Sequence, residues 1–78
     1  MHSTNKQLIE LISSVIDLPP KELDMDSGPA NQTSWDSLAH VTIVAAVEET
    51  YGLKLTLREI LEIKTIRDLD RIIMSEGK

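Results

Sequence analysis

The sequence predicts an all-α fold: a small four-helix bundle of three longer helices and one short third helix, with a long loop between the first two. Three observations predict it. The chain has 78 residues, room for one domain spanning 1–78. It has no Cys and, as aromatics, only Trp35 and Tyr51. The core must therefore be aliphatic, without disulfides, and aliphatic cores on short chains favour helix bundles. Finally, Leu, Ile and Val recur at helical spacing in several segments. The one alternating stretch, LKLTL at 53–57, has no partner strand elsewhere, so a sheet is not expected.

The first helix is expected over about 4–17. Thr4 and Gln7 have capping-box spacing, and Leu8, Leu11, Ile12 and Val15 follow the helical period, widened by Ile9 and Ile16. Pro19 and Pro20 end it. Residues 18–36 form a long irregular loop holding all three prolines, with Leu18, Leu23 and Met25 as anchors to the core. So long a loop in so small a domain signals function. The second helix runs over about 37–51, with Asp36 as N-cap and Gly52 as its stop. Its apolar face is read as Leu38, Val41, Val44, Ala45, Val47 and Tyr51. Glu48 and Glu49 sit at the end of the macrodipole that disfavours acids, which a functional surface and plain surface tolerance explain equally well. After a linker, Thr56 and Glu59 form a second capping box opening the short helix at about 57–62. Thr65 caps the last helix, about 66–75, which carries Ile66, Leu69, Ile72 and Ile73, and the residues to Lys78 form a frayed tail.

Charge limits the partners. Thirteen acids against eight bases give a net charge of −5. That argues against nucleic acid, which requires clustered Lys and Arg, and against stable association with an anionic membrane. It favours a basic protein partner. No apolar run reaches the ~20 residues of a membrane span, and the N-terminus shows no apolar signal region, so a cytoplasmic monomer is expected.

Chemistry concentrates at Ser37. It stands at the first position of a helix, where free backbone N–H groups and the positive end of the dipole face outward. An anion attached to it is stabilised there, as phosphates are at helix starts. Leu38 is expected to take the inward position, leaving the hydroxyl exposed. Asp-Ser at a helix start is also a common capping choice on its own. Other signals are weak. DMDSG at 24–28 fails as a calcium loop, because its Gly comes one position early and the twelfth position, Trp35, is no ligand. His2 and His40 have no metal-site spacing. Glu48 and Glu49 point about 100° apart and make no acid/base pair.

The segment WDSLAHVTIVAAVEETYG resembles the attachment site of acyl carrier proteins, whose signature is Asp-Ser-Leu at the start of the second helix. The pattern continues through the paired Glu48-Glu49, the aromatic Tyr51 and Gly52. Residues 53–74, including Ile63-Lys64-Thr65-Ile66, support it, whereas the first helix and the loop agree in layout only.

The resemblance implies that Ser37 carries 4′-phosphopantetheine, donated from coenzyme A by a phosphopantetheinyl transferase with Mg²⁺. It implies a non-catalytic carrier that presents acyl thioesters to acyl-loading and acyl-processing enzymes of fatty acid, polyketide or related biosynthesis. Asp36 would cap the helix and lie near the transferase's metal. Leu38 would serve core and interface. Trp35, His40, Thr42, Glu48, Glu49, Arg58 and Glu59 are the candidate partner contacts, although Trp35 could equally pack as a staple on the helix start. Val41, Val44, Val47, Ile60, Ile63 and Ile66 would border an apolar cleft for the acyl chain. No metal is expected to reside in the protein.

One departure stands out. Fatty-acid carriers place acids soon after Asp-Ser-Leu, and here Ala39, His40 and Thr42 occupy those positions, with Arg58 opening the short third helix. Glu48, Glu49, Glu59 and Glu62 retain the acidic character nearby. This points to a specialised carrier. Two alternatives remain open: a peptidyl or aminoacyl carrier of a nonribosomal pathway, and a small acidic helical adaptor without cofactor.

Overall fold

Four helices account for the described chain, and no strand occurs among the described residues. The computed structural model describes residues 5–76. α1 spans Lys6–Ile16, α2 Ser37–Tyr51, α3 Leu57–Glu62 and α4 Ile66–Glu76. The core is aliphatic apart from Trp35, and its most buried side chains include Leu8, Ile12, Ile43, Val47, Ile66 and Leu69. No helix among the described residues is long and apolar enough to cross a membrane.

α1 starts later than the sequence suggests. Its N-cap is Asn5, whose Oδ1 accepts the Leu8 N–H at 3.1 Å. Thr4, the expected cap, lies outside the described residues, and with Asn5 as cap the residue three positions on is Leu8, so Gln7 closes no capping box. The Asn5 amide also donates to Asp70 Oδ1 at 2.8 Å, tying the start of α1 to α4. α1 ends before the prolines act. Asp17 adopts the left-handed conformation (φ 60°), and the N–H groups of Asp17 and Leu18 both close on the Ser13 carbonyl. Asp is one of the few L-residues that tolerates this region. Pro20–Glu22 then make a single 3₁₀ turn. At the other end of the chain α4 remains helical through Ser75 to Glu76, so the expected fraying does not begin at Ser75; Gly77 and Lys78 lie outside the described residues.

The long loop is well tethered. Leu23 and Met25 are buried, and Leu18 packs partly against the core. The loop's main chain docks on the start of α4: the carbonyl of Ser27 accepts the Ile66 N–H at 2.9 Å and that of Met25 accepts the Arg67 N–H at 2.8 Å. Asp26 pairs with Arg67 at 3.0 Å. Gly28 sits so close to the residues before α4 that a Cβ there would overlap the Lys64 carbonyl oxygen. Only glycine allows this approach.

α2 begins at Asp36, whose Oδ1 accepts the Ala39 N–H at 2.9 Å, and ends at Gly52 in the left-handed region (φ 67°). Its buried face is Ile43, Val44 and Val47. Leu38 is not inward, as expected from its apolar character, but 76% exposed. Nine residues separate it from Val47, and at about 100° per residue that places it on the opposite side of the helix. Val41, 62% exposed, also lies off the core face, whereas Ile43, absent from the expected stripe, is in it.

α3 is short and firmly capped. Thr56 Oγ1 accepts the Glu59 N–H at 3.1 Å, and Glu59 Oε1 accepts the Thr56 N–H at 2.8 Å. Glu48 has a structural task as well. Its carboxylate accepts the Leu55 N–H at 2.9 Å, which fastens the linker to the end of α2 and offsets the unfavourable dipole there.

Candidate functional site

Ser37 is the first residue of α2 and is exposed. Asp36 in front of it uses one carboxylate oxygen as the cap. The first intrahelical hydrogen bond runs from the His40 N–H to the Asp36 carbonyl at 2.9 Å. Among the described residues, the N–H groups of Ser37 and Leu38 have no protein acceptor. The helix start therefore offers an exposed hydroxyl beside free donors and the positive end of the dipole, a setting that stabilises an attached anion.

A groove of about 660 Å³ opens beside this hydroxyl, between α2 and α3. Ser37, His40 and Val41 line it from α2, and Leu57, Ile60 and Leu61 from α3. Pro29, Trp35, Asp36 and Ile63 complete it. Leu57 and Leu61 are each 70% exposed, so with Leu38 and Val41 they make the surface around Ser37 distinctly apolar.

At the base of the groove a histidine joins three parts of the chain. The indole N–H of Trp35 donates to His40 Nδ1 at 3.0 Å. An indole nitrogen is a donor only, so Nδ1 must be the unprotonated ring nitrogen. The ring proton then resides on Nε2, which donates to the Ile60 carbonyl at 2.9 Å. The two rings lie 6.2 Å apart, tilted at 39°. One side chain thus ties the residue before α2, α2 itself and α3.

This geometry rearranges the expected site. Trp35 is 1% exposed, so it packs beneath the helix start and presents no surface to a partner. His40 is turned inward, with both ring nitrogens engaged. Of the residues expected to border an acyl cleft, Val41, Ile60 and Ile63 line the groove, whereas Val44, Val47 and Ile66 are core residues closed off from it. Thr42 is exposed, and its hydroxyl donates to the Leu38 carbonyl at 2.9 Å. Glu49 and Arg58 are exposed, while Glu48 and Glu59 are occupied by the linker and the α3 cap. Leu57, Leu61 and Pro29 line the groove without having been expected there. A signal for His40 did exist: it shares the helical face of Val44 and Val47, and a polar ring on a buried face requires partners. Trp35, with its single donor, was the obvious one. No cluster suited to a metal ion occurs among the described residues, including the loop around Asp24 and Asp26.

Known proteins resemble this chain over most of its length. Residues 6–72 match the family model described as phosphopantetheine attachment site. The acyl carrier protein of Coprothermobacter proteolyticus is 27% identical over 70 residues, covering 90% of this chain and 85% of that one. That of Acidothermus cellulolyticus is 30% identical over 61 residues, covering 78% and 73%. That of Treponema denticola is 29% identical over 73 residues, covering 94% of both.

Proposed function

The chain belongs to the family of phosphopantetheine-attachment domains, and from that premise we propose that it is an acyl carrier whose arm is joined to Ser37. Members of the family are non-catalytic carriers bearing covalent 4′-phosphopantetheine, and they work with a phosphopantetheinyl transferase and with enzymes that process the carried group. When bound, 4′-phosphopantetheine supplies the thiol that holds the cargo as a thioester, a group this Cys-free chain lacks.

The observation that carries the assignment to Ser37 is its position: an exposed hydroxyl on the first residue of α2, at the mouth of an apolar groove. The residues present suit the group. The free N–H groups of Ser37 and Leu38 stabilise a phosphodiester charge, and Asp36 holds the helix start in place through its cap. Asp36 is exposed, and the oxygen not used by the cap would be available to the transferase's metal. Val41, Leu57, Ile60 and Leu61 offer the cargo an apolar wall.

The partners differ from those of housekeeping fatty-acid synthesis. Ala39, His40 and Thr42 supply no carboxylate after the Asp-Ser-Leu motif, and the surface there is made of Leu38, Val41, Leu57 and Leu61, with Arg58 on α3. A partner matching it presents apolar side chains where a partner of an acidic carrier presents Lys and Arg.

The test is direct. Apo protein is incubated with coenzyme A, Mg²⁺ and a broad-specificity phosphopantetheinyl transferase, and its intact mass is measured. A gain of one phosphopantetheine group, absent in Ser37→Ala, is expected. No gain under conditions that load a control carrier overturns the proposal.

A further inference from the structure

We infer that His40 sets the depth of the groove beside Ser37, and thereby the length of apolar cargo the protein can shelter. The inference rests on the carrier reading above. The groove has apolar walls in Val41, Leu57 and Leu61, apolar floor residues from α3 and the residue after it, Ile60 and Ile63, and a polar floor residue from α2, His40. Trp35, almost wholly buried, also contributes to the lining, and its indole is bonded to His40. The next residues on the same face of α2, Val44 and Val47, are buried and do not line the groove. Along α2 the groove therefore stops at His40.

The stop is held by two hydrogen bonds. His40 Nε2 donates across to the Ile60 carbonyl of α3, and Nδ1 accepts from the Trp35 indole. An alkyl chain starting at Ser37 and running along α2 must part this bridge to reach Val44 and Val47. Parting it leaves an indole N–H and a backbone carbonyl unpaired among apolar atoms, and an alkyl chain replaces neither bond. A short acyl group instead lies against the walls, and each further methylene extends into solvent. Shelter thus grows with chain length only until the groove is filled.

The experiment loads holo protein with butyryl, octanoyl and hexadecanoyl groups, verifies each by intact mass, and measures the rate of thioester cleavage by hydroxylamine. In the wild type, octanoyl and hexadecanoyl forms are cleaved within about twofold of one another, because the bridge holds. In His40→Ala the hexadecanoyl form is cleaved about tenfold more slowly than in the wild type, with the butyryl form unchanged. His40→Gln, whose amide can accept from the indole and donate to the carbonyl, follows the wild type. A merely structural role for His40 would shift all three chain lengths alike. If the wild type already protects hexadecanoyl about tenfold better than octanoyl, or if folded His40→Ala leaves the chain-length series unchanged, the inference is overturned. Should His40→Ala fail to fold, the wild-type series alone decides. Failure to load at Ser37 overturns the carrier reading and the inference with it, whereas loading followed by unlimited protection overturns the inference alone.

Discussion

The starts of α2 and α4 meet the same physical problem and treat it in opposite ways. Each helix begins with N–H groups that have no intrahelical acceptor. At α4 they are sealed: the carbonyls of Met25 and Ser27 take two, Thr65 Oγ1 takes the Asp68 N–H at 3.2 Å, and Asp68 in turn accepts the Lys64 N–H at 3.0 Å. At α2 Asp36 takes the Ala39 N–H, and those of Ser37 and Leu38 before it are left to solvent at the exposed serine. The loop between α1 and α2 serves both ends. Its middle closes α4 and its last residues leave α2 open. A helix start left open in this way offers its donors to the phosphodiester proposed at Ser37.

The largest expected effect breaks the comparison at its open end. Ser37→Ala removes the hydroxyl at the first position of α2, so loading with phosphopantetheine falls to nothing by intact mass. Stability changes little, because the side chain is exposed and is not the cap. The sealed end gives the opposite result. Gly28→Ala puts a methyl group onto the Lys64 carbonyl, and the main chain on both sides of that contact is held by hydrogen bonds. Destabilisation of about 3 kcal/mol is expected, at the upper end for overpacking, with a melting temperature lower by well over 10 °C. At a temperature where the variant is still folded, Ser37 loads at the wild-type rate. Loss of loading without loss of stability would mean that the two ends are not independent.

What could be read from the sequence divides along the same line. Asp36, Gly52 and the Thr56/Glu59 box act on their own helices, so their roles are local and legible. The seal on α4 is not, because it is made by main-chain carbonyls that carry no side-chain signature. Gly28 alone hints at it, and a lone glycine in a loop has many explanations. The face of α2 was misread for another reason. Leu38, Val41, Ile43, Val44, Ala45 and Val47 encircle much of the helix, so periodicity does not select a side. The choice is made by Trp35 beneath the helix start and by the packing of α1, both outside the helix. The bridge from Trp35 to His40 crosses the boundary between loop and helix, where neither period applies.

An intermediate effect is expected at Thr65. Thr65→Ala removes the side-chain acceptor of the Asp68 N–H but leaves the two main-chain bonds from the loop. A loss of about 1 kcal/mol follows, or roughly 4–8 °C in melting temperature, with loading of Ser37 unchanged. A loss as large as that of Gly28→Ala would place the seal in the side chain and not in the docked loop.

The smallest effect on stability, and the sharpest separation of the two ends, lies at Asp36. Asp36→Asn keeps an oxygen to accept the Ala39 N–H, and Asn caps as well as Asp, so stability changes by only a few tenths of a kcal/mol. The carboxylate charge is lost, and with it the proposed contact to the transferase's metal. Asp36→Ala loses the cap as well and costs about 1 kcal/mol. If the charge matters to loading, Asn and Ala are equally slow substrates for the transferase while differing in melting temperature. If only the cap matters, Asn loads like the wild type and Ala alone is slow. Initial rates of mass gain beside melting curves for the three proteins distinguish the two. The first outcome makes the open start of α2 a site with a charge of its own, and the second makes Asp36 a counterpart of Thr65 at an end that happens to carry a serine.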